Sequence, residues 1–361
     1  MSDSYEAMTL PLGAGTINPL QFLDELIDAT ARLEVYREKI HDSKLNSSWF
    51  MPTLQQKEAL ASSALEGTQA TLDGVLTNQI APNDKDRNLN EVQNYYRATL
   101  DGYRMLRSHD FTHDFFWRIH TTLMTGNVRK PDVIGAYRTK QNYLGRNDST
   151  VITFTPPVAE KVYALMDNLI SYINEPQDQL RPLVRTAIIH AQFETIHPFM
   201  DGNGRVGRML IPMYLFAKKQ IDLPCFFISE ALEHDKLRYY SLLNNIRYKG
   251  EWDEWIKFFL ATVAAQCNKY IRIISDINDL HDRHIEVARN LVRSPNIEDV
   301  INALYETPIT TAKTVAAKTG LPPATINRYL SLLVDQGLLS TNNQSRYRTF
   351  YYFELLDILH S

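Results

Sequence analysis

The stretch "ETIHPFMDGNGRVGRML", residues 194–210, decides the fold. It places a histidine, a carboxylate, two glycines around an asparagine and two arginines between two apolar helical segments. Because Pro198 disfavours the helical conformation in the residue before it, we predict that a helix ends at His197. The glycines on either side of Asn203 allow a tight turn there, after which a second helix begins. The sequence therefore predicts two helices joined by a short polar loop.

The start of the second helix is a predicted anion-binding site. Free N–H groups and the positive end of the helix dipole meet there, and Arg205 and Arg208 lie on one helix face beside them. Asp201 is the carboxylate in this loop, and beside a phosphate group it is expected to hold Mg²⁺. His197 can accept a proton near neutral pH. The expected ligand is a nucleotide polyphosphate.

Two other interpretations explain this stretch less completely. His190, Glu194 and His197 are spaced as one helix face that could bind zinc, but Pro198 breaks the helix and the HExxH spacing is absent. We therefore expect His190 and Glu194 to support the fold. A simple turn with capping glycines would explain part of the stretch, but not its complete order of charged residues.

The remaining sequence predicts a mainly α protein. Asn18 and Pro19 are typical of a helix start. Apolar residues spaced by three and four predict helices over 18–40, 53–67, 89–107, 112–124, 158–173, 182–196, 203–219, 236–248 and 252–275. The clear β signal before residue 280 is a hairpin at 135–157, with a turn at Gly145-Arg146-Asn147-Asp148.

Composition limits the classes of function. The 361 residues are 44% hydrophobic, and a net charge of −4 gives no overall attraction to nucleic acid or to anionic membranes. Cys225 and Cys267 read as buried thiols in a reducing compartment. The N-terminus has no signal-peptide pattern, and no long apolar segment is present. We therefore expect a cytoplasmic protein without a membrane contact.

Residues 286–361 predict a small α+β domain of the winged helix-turn-helix type. Three short helices, a turn at residues 319–321 and a strand pair over 338–353 carry this interpretation. The recognition helix would present Thr325, Asn327 and Arg328. Residues 296–361 carry five basic side chains and six acidic ones, namely Lys313, Lys318, Arg328, Arg346 and Arg348 against Glu298, Asp299, Glu306, Asp335, Glu354 and Asp357. A structural or protein-contact role is therefore favoured over DNA binding, which stays open.

The central stretch resembles the signature of the Fic family, His-x-Phe-x-(Asp/Glu)-Gly-Asn-Gly-Arg-x-x-Arg. Every fixed position matches from His197 to Arg208. Further similar segments are "IHTTLMTG" (119–126), "GAYRTKQNYLG" (135–145), the prolines at 156 and 157, "YYSLL" (239–243) and "EWDEWIKFF" (251–259). The resemblance implies an adenylyltransferase that moves AMP from ATP to a hydroxyl of a target protein. It also implies an N-terminal helical region (1–110), a catalytic core (111–285) and the winged-helix domain (286–361).

The resemblance implies a role for each loop residue. His197 would be the catalytic base and Asp201 the Mg²⁺ ligand. The nucleotide-binding segment would comprise Gly202, Asn203, Gly204, Arg205, Val206, Gly207 and Arg208, with Asn203 and the N–H groups of 202–204 on the α- and β-phosphates, Arg205 on the polyphosphate and Arg208 on the γ-phosphate. The hairpin at 135–157 would be the flap that docks an extended target segment by β-augmentation. Tyr239 and Tyr240 are candidates for the base pocket, although such a helical pair is more often core.

A second segment, "SSALEG" at residues 62–67, resembles the family's inhibitory motif. Ser62 and Glu66 occupy its fixed positions on a predicted helix over about 53–67, as in the subclass with an N-terminal inhibitory helix. The helix dipole disfavours a carboxylate at a helix C-terminus, so Glu66 needs a cationic partner. The resemblance implies that this partner is Arg208. An exposed helix-end glutamate is the alternative, and some family members use this residue to remove AMP from the target.

Other functions stay open at this stage. The chain could be a regulator that senses nucleotide through the Fic core and acts through the winged helix. It could also transfer another nucleotide moiety, such as UMP, because no motif marks the base pocket. Self-modification and a homodimer are further expectations that the sequence does not decide.

Overall fold

The computed structural model describes residues 4–43, 47–83, 85–126, 134–145, 152–342, 344 and 348–361. Helices dominate, which confirms the predicted fold class. A short 3-10 helix, Pro19–Phe22, precedes the first α-helix, and the side chain of Asn18 caps it by accepting the Leu20 N–H. The helices are α1 (Leu23–His41), α2 (Ser47–Leu65), α3 (Leu72–Ile80), α4 (Arg87–Leu106), α5 (His113–Met124), α6 (Ala159–Asn174), α7 (Pro182–Ile196), α8 (Asn203–Ala217), α9 (Ser229–His234), α10 (Lys236–Lys249), α11 (Trp252–Leu291), α12 (Asn296–Glu306), α13 (Ala312–Thr319), α14 (Pro323–Asp335) and α15 (Phe353–His360).

Short antiparallel strands form two small sheets. The strands are β1 (Leu144–Gly145), β2 (Ile152–Phe154), β3 (Ile309–Thr311), β4 (Ser340–Thr341) and β5 (Thr349–Tyr351). Strand β1 pairs with β2, and the second sheet has the order β3-β5-β4. The chain divides into two compact units, and the β1-β2 sheet belongs to the first unit while the β3-β5-β4 sheet belongs to the second.

The first unit comprises Met1–Glu34, Ala61–Thr68 and Asn90–Gln266. Its centre is the pair α7 and α8, which pack against each other, while α6 also packs on α7 and α5 on α8. Helix α7 is buried from Leu183 to Ile196 except at Arg185, and the buried residues include polar and charged side chains as well as apolar ones. Because both flanking helices are buried, the loop between them is held at both ends.

The hairpin of this unit lies within the predicted range 135–157. Among the residues that the structure describes there, Leu144 pairs with Phe154 and Gly145 with Ile152. The predicted turn residues Arg146, Asn147 and Asp148 lie outside the described residues. Near the base of the hairpin, side chains replace backbone pairing, since Gln141 Nε2 donates to the Pro156 carbonyl at 3.0 Å.

The second unit comprises Val35–Leu60, Gln69–Leu89 and Cys267–Ser361. Helices α13 and α14 are joined through Gly320, whose φ of +69° forms the predicted helix-turn-helix turn. Strand β5 pairs with β3 and β4, and α3 packs against β3. The strand pair β4 and β5 falls within the predicted 338–353 segment, whereas β3 and α15 were not predicted.

Several helix ends differ from the predictions. Helix α2 begins at Ser47 with Pro52 inside it, and α11 continues to Leu291 rather than ending near residue 275. The division of the chain at residues 110 and 285 stays a prediction. The two compact units follow packing instead of chain order, since α1, α2, α4 and α11 each contribute residues to both.

Within the described ranges, no helix is both long enough and apolar enough to cross a membrane. Cys225 and Cys267 are buried, as predicted.

Candidate active site

The helix α7 ends in a strained histidine. His197 has φ 50° and ψ 60°, the left-handed conformation that non-glycine residues seldom adopt. Its N–H still donates to the Phe193 carbonyl at 2.9 Å, which closes the last helical turn. The Nδ1 atom lies 3.4 Å from the Glu194 carbonyl, which can only accept, so the proton is assigned to Nδ1, and Nε2 has no hydrogen-bond partner among the described residues. This places a half-buried histidine at the mouth of the loop with one nitrogen available as a base.

The following loop is closed by Asn203. Its Oδ1 accepts the Phe199 N–H and its Nδ2 donates to the Phe199 carbonyl, both at 2.8 Å. The Asn203 side chain therefore shapes the loop, and its contact with phosphate stays a prediction. Gly202, with φ 78°, makes the tight turn, whereas Gly204 lies inside α8 with an ordinary backbone.

The N-terminus of α8 offers unpaired donors. The first helical hydrogen bond runs from the Val206 N–H to the Gly202 carbonyl, so the N–H groups of residues 203–205 precede it. Arg205 and Arg208 are buried, and Nε and Nη1 of Arg205 and Nη1 of Arg208 have no hydrogen-bond partner among the described residues. Buried guanidinium groups with unused donors fit a phosphate chain.

Two predicted nucleotide-binding positions lie inside the core instead. Val206 is fully buried, and a β-carbon at Gly207 would overlap Glu194 Oε1. The Gly207 carbonyl accepts a hydrogen bond from His190 Nδ1 at 2.9 Å. These two residues therefore pack α8 against α7 and do not face the phosphate site.

Asp201 is the exposed carboxylate beside this helix start. Its side chain keeps 72% of its surface accessible, and Oδ1 lies 3.8 Å from Arg205 Nη2. The same oxygen accepts the Gly202 N–H at 2.6 Å. No cluster of three or more metal-ligating side chains occurs in the described part of the chain. A single carboxylate at a phosphate site fits Mg²⁺, which often takes one protein carboxylate together with phosphate oxygens and waters.

The end of α2 lies directly against this site. Arg208 Nη2 donates to Glu66 Oε1 at 2.7 Å and to the Ser62 carbonyl at 2.9 Å, and Arg208 Nε donates to Ser62 Oγ at 2.8 Å. A β-carbon at Gly204 would overlap Glu66 Oε1. The pairing expected for "SSALEG" is thus present in the structure, and the carboxylate lies against the first turn of α8.

Charges at this contact stabilise one another. Burial acts to raise the pKa of Glu66, but the nearby Arg208 outweighs it and holds that pKa below its usual value. Burial acts to lower the pKa of Arg208, and Glu66 reverses this. Lys236 Nζ donates to the Leu65 carbonyl at 2.6 Å and so supports the C-terminal end of α2.

Glu194, one turn before the loop, is a buried carboxyl group. The residue is 5% exposed, and its Oε1 has no hydrogen-bond partner among the described residues. Burial raises the pKa of Glu194 to about 7, against the opposing charge of Arg208. Burial also lowers the pKa of His197, and the cation of Arg247 adds to this effect. His197 is therefore neutral at physiological pH, as a general base requires.

The structure adds two residues that were not singled out from the sequence. Arg138 donates through Nε to the His197 carbonyl at 2.9 Å and through Nη2 to the Pro157 carbonyl. His120 Nε2 donates to the Asp201 carbonyl at 3.1 Å, and its Nδ1 accepts the Gly135 N–H at 3.0 Å. Both lie in quoted segments, "GAYRTKQNYLG" and "IHTTLMTG", but a side chain that binds a backbone carbonyl leaves no spacing pattern.

The tyrosine candidates for the base pocket, Tyr239 and Tyr240, differ in exposure. Tyr239 is fully buried, and its hydroxyl group donates to His190 Nε2 at 2.9 Å, so it packs in the core and does not line a surface pocket. Tyr240 is 37% exposed and remains a candidate for the base pocket. His190 uses both ring nitrogens in hydrogen bonds, which agrees with the predicted supporting role.

Comparisons with known proteins agree with this geometry. Residues 110–215 match the Fic/DOC family model, residues 23–104 the Fic/DOC family N-terminal model and residues 293–340 a model of winged helix-turn-helix DNA-binding domains. A crystal structure of a Fic family protein from Desulfovibrio desulfuricans is similar with a TM-score of 0.61 at 20% identity, over 93% of this chain and 96% of that chain. This likeness supports the fold.

Curated relatives of this chain include proteins named as protein adenylyltransferases. A probable protein adenylyltransferase of Aquifex aeolicus is 25% identical over 270 residues, which cover 67% of this chain and 77% of that protein. Protein adenylyltransferase fic-1 of Caenorhabditis briggsae is 31% identical over 108 residues, which cover 30% of this chain and 20% of that protein. The match thus spans a fifth of the nematode protein. The two Fic/DOC models together reach from residue 23 to residue 215, more than half of the chain, and the chain therefore belongs to the Fic/DOC family.

Proposed function

We propose that the protein is a protein adenylyltransferase that transfers AMP from ATP to a Ser, Thr or Tyr hydroxyl of a target protein, and that Glu66 inhibits it. The observation that carries the proposal is the set of buried donors on Arg205 and Arg208 beside a neutral His197, with Glu66 bound to one of these arginines. Relatives named as protein adenylyltransferases support the reaction class.

In this proposal the polyphosphate of ATP occupies the N-terminus of α8. The N–H groups of 203–205 and the guanidinium groups of Arg205 and Arg208 bind its oxygens. Asp201 would hold Mg²⁺, which supplies charge stabilisation at the phosphates when it is bound.

The chemistry follows from the free nitrogen of His197. Nε2 takes the proton of the target hydroxyl as its oxygen attacks the α-phosphorus. The new bond joins that oxygen to phosphorus, the bond from the α-phosphorus to the bridging oxygen breaks, and pyrophosphate leaves. Arg138 and Arg247 hold the backbone on either side of His197, so the base stays at one position during transfer.

Inhibition follows from the contacts of Arg208. Ser62 and Glu66 bind Nε and Nη2 of Arg208, so these two nitrogens are not available to the γ-phosphate. The Glu66 carboxylate also lies against Gly204, where it would repel an incoming phosphate. Release of Glu66 is then required for productive ATP binding. In the reverse direction, Glu66 would also take part in the removal of AMP from the modified target.

The flap would dock the target segment. The carbonyls of Thr153 and Thr155 already accept hydrogen bonds from the Tyr248 hydroxyl and the Tyr5 N–H, at 3.3 and 3.0 Å. Because these carbonyls next to and in β2 are occupied, we expect an extended target segment to pair with β1 instead. Tyr143, the residue before this strand, is 52% exposed. The protein itself can supply such a segment, which gives the self-modification used as a test.

The test compares Glu66→Gly with Glu66→Gly/His197→Ala, incubated with Mg²⁺ and α-labelled ATP. We expect label on the first variant and at least a hundredfold less on the second. Labelling from γ-labelled ATP would identify a kinase instead, and stronger labelling from α-labelled UTP would identify a uridylyltransferase. Glu66→Gly/His109→Ala, which changes an exposed histidine, is the matched control and should label like Glu66→Gly.

The match to winged-helix models favours a second candidate function, binding of DNA by residues 293–340. Arg348 is however occupied, since it donates to Ser331 Oγ and Thr341 Oγ1 at 3.2 and 3.1 Å. With acidic residues in excess over 296–361, we propose a contact to protein as the role of this region.

A further inference from the structure

Arg247 connects helix α10 to helix α7, the helix that ends at the proposed catalytic base His197. It lies near the end of α10 and is only 9% exposed. Its Nη2 donates to the Glu194 carbonyl at 3.0 Å and its Nε to Thr195 Oγ1 at 3.3 Å. Both acceptors belong to the last turn of α7, where unpaired carbonyls and the negative end of the dipole attract a cation. Arg247 therefore fixes the helix turn that immediately precedes His197.

The same guanidinium group contacts the flap. Its central carbon lies 3.9 Å from the centroid of the Phe154 ring, a cation–π contact with the last residue of β2. Phe154 is 2% exposed, so this contact is shielded from water. Nη1 donates to Asn244 Oδ1 at 3.0 Å. With Nε, Nη1 and Nη2 all engaged within the protein, Arg247 is suited to hold structure rather than to bind substrate.

Arg138 makes a second connection between the same two segments. It joins the His197 carbonyl to the Pro157 carbonyl, three residues beyond the ring that Arg247 contacts. Two arginines from different parts of the chain thus link residues 154–157 to residues 194–197. A displacement of the β2 segment must therefore disturb the end of α7.

We propose that Arg247 is a positioning residue that couples the flap (135–157) to helix α7. A target hydroxyl held by the flap then stays at a fixed position relative to Nε2 of His197. The inference rests on the proposed function, because it assigns the flap to target docking. The arrangement has an electrostatic consequence as well. The cation of Arg247 helps to keep His197 unprotonated, alongside Arg138 and against Glu66, the other charged groups that face the imidazole.

The test places Arg247→Met and Arg247→Lys in the Glu66→Gly protein. The first readout is the rate of self-labelling from α-labelled ATP with Mg²⁺, together with the ATP affinity. We expect Arg247→Met to lower the rate about ten- to a hundredfold, with the ATP affinity changed less than about twofold. Arg247→Lys keeps the charge but loses the paired donors, and its rate should also fall.

The second readout is an NMR titration of His197 in nucleotide-free protein with labelled histidine, assigned with His197→Ala. Arg247→Met should raise the pKa of His197, and Arg247→Lys should leave it near the parent value. The matched control is Arg185→Met, which removes another half-buried arginine, at the first turn of α7, where it pairs with Asp178 at 2.7 Å. It should change neither readout.

A rate for Arg247→Met within twofold of the parent, or a fall in ATP affinity that matches the fall in rate, would overturn the proposal. If the Glu66→Gly parent fails to label, the proposed function fails on its own account. The titration then still decides the contact, because an unchanged His197 pKa in Arg247→Met, with unshifted flap amide signals, contradicts the coupling.

Discussion

Arg208 distributes its guanidinium group between two tasks. Nε and Nη2 donate to Ser62 and Glu66, while Nη1 is buried without a partner among the described residues. The contacts to Ser62 hold the group in place, and the contact to Glu66 neutralises it. Ser62 and Glu66 should therefore differ in how strongly they inhibit.

Ser62→Ala should raise self-labelling by less than Glu66→Gly does. The change leaves Nε of a buried cation unsatisfied, which costs about 1–3 kcal/mol and loosens the inhibited arrangement without removing the Glu66 charge. Ser63→Ala is the matched control, since Ser63 is equally buried and its Oγ has no partner among the described residues. Labelling rates of the two variants in parallel provide the measurement. Equal rates for them would argue against a role for Ser62.

Glu194 should make the protein less stable as pH rises. Its pKa is about 7 in the folded protein, above the ordinary value of 4.5, so between these values the folded state holds a proton that the unfolded state has lost. The favourable contribution is complete below pH 4.5 and is lost as pH rises through 7. The shift corresponds to about 3 kcal/mol at most.

Glu194→Gln should remove this dependence. The amide has the same size but cannot ionise, so the variant should gain about 1–3 kcal/mol over wild type at pH 8 and be close to neutral at pH 4.5. Urea unfolding at both pH values measures the difference. A free-energy gain that does not depend on pH would show that Glu194 does not titrate as described.

The sequence indicated which residues lie together at the loop better than how their polar groups pair. His197, Asp201 and Arg208 are where the signature implied, and Glu66 contacts Arg208. The Asn203 side chain closes the loop instead of reaching outward, because its amide matches both backbone groups of Phe199. A motif fixes residue types, but which polar groups bind each other depends on the three-dimensional arrangement.

Among the elements, α2 has a C-terminal end that is held by another helix. Lys236, the first residue of α10, donates to the Leu65 carbonyl in the turn that carries Ser62 and Glu66. Loss of this contact should let the last turn of α2 open more often.

Lys236→Ala should therefore raise self-labelling, by about two- to tenfold, since one hydrogen bond to a charged donor is worth roughly 1 kcal/mol where it is partly exposed. Hydrogen exchange of residues 62–66 should speed up in parallel. Lys249→Ala is the control, because that exposed lysine lies at the other end of α10. Faster labelling without faster exchange would contradict the explanation.

Helices were predictable as elements, but their ends were not. Apolar periodicity indicated α7, α8 and α10 within a few residues. It missed the start of α2, since Pro52 reads as a helix boundary although the helix passes through it. Strand β3 covers only Ile309–Thr311, which is too short for an alternating pattern to stand out.

At the scale of the whole molecule, the winged-helix region raises the question of whether the chain binds DNA. Its three predicted helices and its strand pair follow the predicted order, with β3 and α15 in addition, and its acidic residues outnumber its basic ones. Neutralisation of phosphates by Lys and Arg supplies most of the non-specific affinity of DNA-binding proteins.

We therefore predict weak binding of duplex DNA by the full chain. Filter binding at about 50 mM salt should give a dissociation constant no lower than about 10 μM. The affinity should not fall steeply between about 50 and 200 mM salt. The double variant Arg328→Ala/Asn327→Ala should behave like wild type. Tighter binding with a steep salt dependence that this variant abolishes would establish DNA recognition instead.

The central claim is that the activity of the loop at 197–208 is set by Glu66. The most direct measurement is the initial rate of self-labelling from α-labelled ATP with Mg²⁺, for wild type and Glu66→Gly at saturating nucleotide. Because a charge-assisted hydrogen bond is worth about 1.5–3 kcal/mol, we predict a rate for Glu66→Gly that is about ten- to a hundredfold above wild type. Equal rates would contradict the account.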